Sequence, residues 1–147
     1  MKEYFLNPEA TAKTLTEDGF IKTGDLGFLD GEGRFVFLSR MGDVLRLGGY
    51  LTDPVEIENA IQDVVGVEKA QVVGVETDRG AKAFAFVIGS AAPADILIHC
   101  QQTLAGYKLP IHMEMVDTFP MTESANGLKI QRAKLRQMAQ EIWNKRQ

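Results

Sequence analysis

Cysteine is nearly absent from this chain, which carries one thiol, Cys100, in 147 residues. A single thiol excludes an internal disulfide and a cysteine-built metal site, and it fits a reducing, cytoplasmic setting. Cys100 lies beside Ile96, Leu97 and Ile98, so it reads as a buried, inert group rather than a nucleophile. Histidine is scarce too. His99 and His112 are 13 positions apart, one expected inside a helix and one opening a strand, with no cysteine or carboxylate cluster nearby. They do not form a metal pair, and no metal site is expected. No apolar run approaches the roughly 18 residues needed to span a bilayer. The opening Met-Lys-Glu-Tyr-Phe-Leu-Asn-Pro-Glu has the pattern of neither a signal nor a transit peptide. A broad basic face with interleaved aromatics is also missing, which argues against nucleic-acid binding.

What is present is a one-domain length with a real core: 45% apolar residues, 24% charged and a net charge of −4. The charge is uneven. From Lys129 onward six bases (Lys129, Arg132, Lys134, Arg136, Lys145, Arg146) face one acid, Glu141. That tail is either a solvated helix face or, near its start, a place for a small anion.

Asn7-Pro8-Glu9-Ala10 carries a cap and a first-turn proline, predicting a helix to about Leu15. Gly19–Lys22 reads as a short strand. The apolar pieces around Asp30-Gly31-Glu32-Gly33 predict a hairpin. Val44-Leu45-Arg46-Leu47 leads into a flexible pair, Gly48-Gly49. Asp53-Pro54-Val55-Glu56 then opens a helix with cap, proline and a capping-box acid, and Ile57, Ala60, Ile61 and Val64 mark its inner face. Strands are expected at 67–76 and 82–88, a helix at 93–104, a strand at 112–116 and a last helix at 131–143 anchored by Trp143. The class is α+β: a small sheet covered by helices over residues 42–147, preceded by small β pieces over 1–41 with little core of their own.

Three side chains stand where nucleotide chemistry would want them. Asp25, in Thr23-Gly24-Asp25-Leu26-Gly27, can accept two hydrogen bonds from vicinal ribose hydroxyls; its plainer reading is a turn-forming aspartate. Arg40 can offer a planar fork to the same sugar or to a phosphate, or make a surface salt bridge. Lys129 is expected in a mobile loop with Ser124, Ala125, Asn126 and Gly127, from which its charge could reach a phosphoryl or acyl oxygen; otherwise it is an ordinary helix-entry lysine.

The order of these motifs resembles the adenylate-forming superfamily: acyl- and aryl-CoA ligases, peptide-synthetase adenylation domains and luciferases. The resemblance runs through Asp18-Gly19-Phe20 to Gly27, Ser39-Arg40 through Gly49 to Glu58, Tyr107-Lys108-Leu109-Pro110, and Lys129-Ile130-Gln131-Arg132 to Arg136. It covers the end of such an enzyme, the tail of its large domain (residues 1–41) and its mobile C-terminal domain (42–147), so the large N-terminal domain is a missing partner. The family turns a carboxylic acid and ATP into an acyl-adenylate, then passes the acyl group to coenzyme A or a carrier-protein thiol. The resemblance implies ATP with Mg2+, held mainly by the large domain, and CoA as acceptor. It implies that Asp25 and Arg40 bind the nucleotide, that Lys129 is catalytic in adenylation, and that Gly48 and Gly49 line the pantetheine path, although those two glycines could simply form a bulge. The hinge position, usually Asp or Lys, is Gly42 here, and Leu128 intervenes between glycine and lysine. The end motif is more like an AMP-forming acyl-CoA synthetase than a peptide synthetase. The alternatives are a non-catalytic regulatory or interaction module of the same fold, or an adenylation enzyme that loads a carrier-protein thiol. By itself the chain is expected to be inactive.

Overall fold

The computed structural model describes residues 3–124 and 127–146, and the chain forms two compact units, Met1–Gly42 and Asp43–Gln147. In the first, helix α1 (Pro8–Thr14) starts as expected, with the Asn7 side chain accepting from the Ala10 amide. Strands β1 (Asp25–Leu29) and β2 (Phe35–Arg40) make the expected antiparallel hairpin. Its turn is pinned by Asp30, which accepts from the amides of Glu32 and Arg34 and from the Arg34 guanidinium at 2.7 Å. That Arg34 hydrogen bond leads the contacts holding the Asp30 carboxyl below its ordinary range. The strand expected at Gly19–Lys22 shrinks to one bridge between Leu15 and Ile21. None of this unit's described apolar side chains is buried, and Phe5, Phe20, Leu29 and Phe35 are all more than 60% exposed.

The second unit has a three-stranded sheet at its centre. β5 (Val67–Val75) pairs antiparallel with β6 (Lys82–Gly89), which pairs parallel with β7 (His112–Met115). Before it come β3 (Leu45–Leu47), β4 (Tyr50–Thr52) and helix α2 (Pro54–Gln62). Between β6 and β7 lies α3 (Pro93–Thr103), and after β7 come a hairpin of β8 (Met121–Ser124) with β9 (Gly127–Ile130) and then α4 (Arg132–Lys145). Alternation along β6 sets the layers. Ala83, Ala85 and Val87 face a cluster with Ile57 and Ile61 of α2 and Ile96 and Cys100 of α3. Phe84 and Phe86 point the other way, against Leu135 and Ala139 of α4. Each fully buried phenylalanine contributes about 1.5–3 kcal/mol by leaving water. Desolvation in the first cluster raises the Cys100 thiol pKa, consistent with an unreactive group.

Two sequence expectations need correcting. Gly48-Gly49 is not a flexible pair but the turn of a second tight hairpin, β3–β4. And Glu56 does not close a capping box: Asp53 caps α2 by accepting from the Val55 amide at 3.0 Å, while the Glu56 carboxylate reaches across to Lys108 Nζ at 2.7 Å. That hydrogen bond is the main cause raising the Lys108 pKa.

Candidate functional site

Asp25 and Arg40 are brought together by register. They are cross-strand partners in β1–β2, with Arg40 Nε 3.0 Å from Asp25 Oδ1. The approach is close but off-axis, so Oδ1, itself shielded from solvent, has no directed hydrogen bond. Contact and orphan acceptor coexist because a charge contact needs distance alone whereas a hydrogen bond needs alignment. The exposed side of such a pair is worth about 0–1 kcal/mol, little enough for a ligand hydroxyl to displace. Gly27 lies in a bulge after Leu26, where a Cβ would come within 2.6 Å of the Val36 carbonyl and collide with the Phe35 ring. Glycine is required there, which fixes the curvature that presents Asp25.

Gly48 and Gly49 are the two residues of the β3–β4 turn, with φ of +57° and +89°. Two positive φ angles in a two-residue hairpin define a type I′ turn. β3 and β4 stay in register, so the bulge reading is overturned. The inner side of Gly48 rests on Tyr107, whose Cβ is 3.2 Å from where a Gly48 Cβ would stand, and the Tyr107 ring packs 5.0 Å from that of Tyr50. A Cβ at Gly49 would meet nothing within 4 Å. The turn is thus closed on one side and open on the other. Gly48→Ala combines a left-handed backbone with a tight contact and is expected to cost about 1–2 kcal/mol, read as a lower Tm of this chain. An unchanged Tm would show that the turn relaxes freely. Gly42, at the position expected from the sequence to be a hinge, does not occupy the left-handed region here.

Lys129 is not in a loop. It lies in β9 opposite Thr122 of β8, exposed, on the face away from Ile130, which packs into the α4 cluster. Ser124 ends β8 and Gly127 opens β9 with φ +103°; Ala125 and Asn126 lie outside the described residues. The corner after β9 is held firmly. The Gln131 amide donates to the Pro120 carbonyl at 2.8 Å, and Arg132 Nη2 donates to Glu58 Oε1 at 2.9 Å. Glu58 is buried on α2 and also accepts from the Val72 amide at 2.9 Å, tying α2, β5 and α4 at one point. Desolvation dominates and raises the Glu58 pKa, against the lowering pull of the Val72 amide and Arg132. Arg132 Nε lies 3.8 Å from Asp43, the first residue of this unit.

The sequence motifs contain Arg132, Glu58 and Tyr107 but assign them no role of their own. The available signal was an acid beside Ile57 and within one helical turn of Ile61, at the edge of the apolar face of α2. Among the described residues no group of three His, Cys, Asp or Glu side chains could hold a metal ion. None of their helices is long and apolar enough to cross a membrane.

Residues 56–126 match the model of the AMP-binding enzyme C-terminal domain. The chain is 37% identical over 137 residues to 2-succinylbenzoate–CoA ligase of Listeria monocytogenes, covering 91% of this chain and 28% of that enzyme. It is 35% identical over 134 residues to a Rhodococcus jostii methyl-dioxo-octahydroindenyl-propanoyl:CoA ligase, covering 88% and 26%. ATP-bound MatB from Rhodopseudomonas palustris superposes with a TM-score of 0.81 at 33% identity, over 97% of this chain and 29% of that one. This chain belongs to the adenylate-forming superfamily. The likeness to other adenylate-forming enzymes takes in both units, whereas the matched domain begins after the glycine turn and stops short of Lys129. The chain spans about a quarter of the length of those relatives, 26% and 28%.

Proposed function

We propose that this chain is the C-terminal portion of an ATP-dependent, AMP-forming acyl-CoA synthetase, cytoplasmic, which activates a carboxylic acid as its adenylate and passes the acyl group to the thiol of CoA. The observation that carries this reading is similarity to two CoA ligases along 88% and 91% of the chain. In this reading residues 1–41 end the large domain and 42–147 form the mobile domain, with Gly42 as the hinge. The exposed aromatics of the first unit suit burial against that large domain.

Adenylation presses a carboxylate against an α-phosphate, and two anions repel. A fixed cation aimed at the shared oxygens lowers that barrier, and Lys129 supplies it from β9. Asp25 takes the ribose hydroxyls with the oxygen left without an aligned donor, and Arg40 swings from Asp25 to the sugar or phosphate. Mg2+ would enter with ATP and would offset phosphate charge there; the described residues of this chain offer it no cluster of ligands. Gly48 and Gly49 then present a side-chain-free turn to the pantetheine arm. A second reading keeps adenylation and changes the acceptor to an amine. It is favoured by the likeness to the amide bond synthetase McbA of Marinactinospora thermotolerans, at 26% identity and a TM-score of 0.78.

The test is acid-dependent ATP–pyrophosphate exchange by the complete coding region over fatty, aryl and short-chain acids, followed by addition of CoA. Exchange with one acid class and formation of its CoA thioester is the expected result. Exchange without thioester, but with amide when an amine is added, would favour the second reading. The 147-residue chain alone is expected to give no exchange above a blank, because in this reading the large domain holds most of the ATP and Asp25 and Arg40 add only a few hydrogen bonds.

A further inference from the structure

The open side of the Gly48–Gly49 turn faces a cavity of about 360 Å3 lined by Arg46, Glu76, Arg79, Gly80 and Ala81 as well as the two glycines. Two guanidinium groups flank a ligand path that the mechanism leaves without any charge. Both arginines are exposed, and among the described residues neither is held by a carboxylate within ion-pair distance. Glu76 is the one acid in the lining, so the cavity keeps a net positive charge.

Both arginines stand on ordered backbone. Arg46 is the middle residue of β3, paired with Leu51 across the hairpin. Arg79 is on a turn closed by three hydrogen bonds: its own amide donates to Thr77 Oγ1 at 3.2 Å, the Thr77 hydroxyl donates to the Gly80 carbonyl at 2.7 Å, and the Gly80 amide donates to the Thr77 carbonyl at 2.9 Å. Residue 76 is clamped from α4, since the Gln140 side chain accepts from the Glu76 amide at 2.8 Å and donates to its carbonyl at 3.1 Å. Tyr107 blocks the other side of Gly48, so a ligand reaches the turn from the arginine side.

We infer that Arg46 and Arg79 form a phosphate-binding rim that holds the phosphates of CoA while its pantetheine arm passes the glycine turn. This rests on the acyl-CoA synthetase reading above. The chemistry fits because a guanidinium offers a planar fork to phosphate oxygens and stays charged at every working pH. An arm with a thiol but no phosphate, such as pantetheine, gains nothing from the rim. The rim therefore acts on the choice of acceptor and not on adenylation.

The experiment uses the complete enzyme and its Arg46→Gln/Arg79→Gln variant, with CoA and pantetheine as acceptors. The variant is expected to raise KM for CoA about tenfold, the scale of removing two exposed charge pairs together. KM for pantetheine, KM for ATP in pyrophosphate exchange and Tm stay unchanged. The Arg46→Lys/Arg79→Lys variant is expected to keep part of the CoA affinity that the Gln variant loses. An unchanged KM for CoA, or an equal rise for pantetheine, would overturn the rim while leaving the synthetase reading standing. A rise in KM for ATP would show that the arginines serve the nucleotide instead. If the unaltered enzyme forms adenylate but no thioester from CoA, the acceptor reading fails and the rim falls with it.

Discussion

Replacing Lys129 with alanine in the complete enzyme is expected to slow adenylation about 10²–10³-fold, the scale of losing one preorganised transition-state group. Thioester formation from preformed adenylate should continue at its normal rate. The two halves separate because the charge conflict exists only while carboxylate meets phosphate. The structure makes this a clean substitution: Lys129 is exposed on β9 and faces away from the packed Ile130, so its removal opens no cavity. Tm should therefore hold while pyrophosphate exchange collapses. Lys129→Arg should recover little, since a planar fork on a longer stem does not place a point charge on the same oxygens. Equal losses in both half-reactions would argue that β9 serves the fold or the domain contact rather than the chemistry.

Arg132→Met is expected to have the largest effect on stability, about 3–5 kcal/mol at neutral pH, because it leaves Glu58 charged and buried with no cation. Its pH dependence identifies the cause. Burial raises the Glu58 pKa above its ordinary 4.5, so in the fold the ionised form is the disfavoured one. Such a group supports the fold fully below its unfolded pKa, and that support is lost as pH rises through the folded value. Taking Arg132 away removes a lowering influence and widens this window, so the deficit of the variant should shrink on acidification from about pH 7 toward about pH 5. Urea unfolding at both pH values measures it. The Glu58→Gln/Arg132→Met double variant should recover most of the loss, because the side-chain amide oxygen it introduces can still accept from the Val72 amide and carries no charge. A deficit independent of pH and not relieved by the second substitution would assign the loss to packing of the Arg132 stem.

Wherever local chemistry decides, the sequence was readable. The caps at Asn7 and Asp53 are made as their spacing requires, and the turn after Leu29 is closed by the aspartate that opens it. β6 reads as a strand because its apolar run is buried on both faces, with alanines toward α2 and α3 and phenylalanines toward α4. The failures lie where distant residues compete. Glu56 was a capping acid on spacing alone, until Lys108, 52 residues away, offered a stronger partner. β3–β4 and β8–β9 are too short to show alternation, and glycine at a type I′ turn looks the same on paper as glycine in a flexible link. Of the candidate site, Asp25 and Arg40 could be named but not paired, because their meeting depends on hairpin register. Arg132 was hidden in a run of bases in which nothing local sets one guanidinium apart from its neighbours.

The lone tryptophan has a practical bearing on these experiments. Trp143 sits on α4, half-buried against the cluster that contains Phe84 and Leu135, and the first unit has no tryptophan at all. Emission excited at the red edge of the protein absorption band therefore comes from one site and follows the unfolding of Asp43–Gln147 alone. Circular dichroism sums both units. A gap between the two melting curves would measure how independently the halves of this chain unfold, without a label or an added dye.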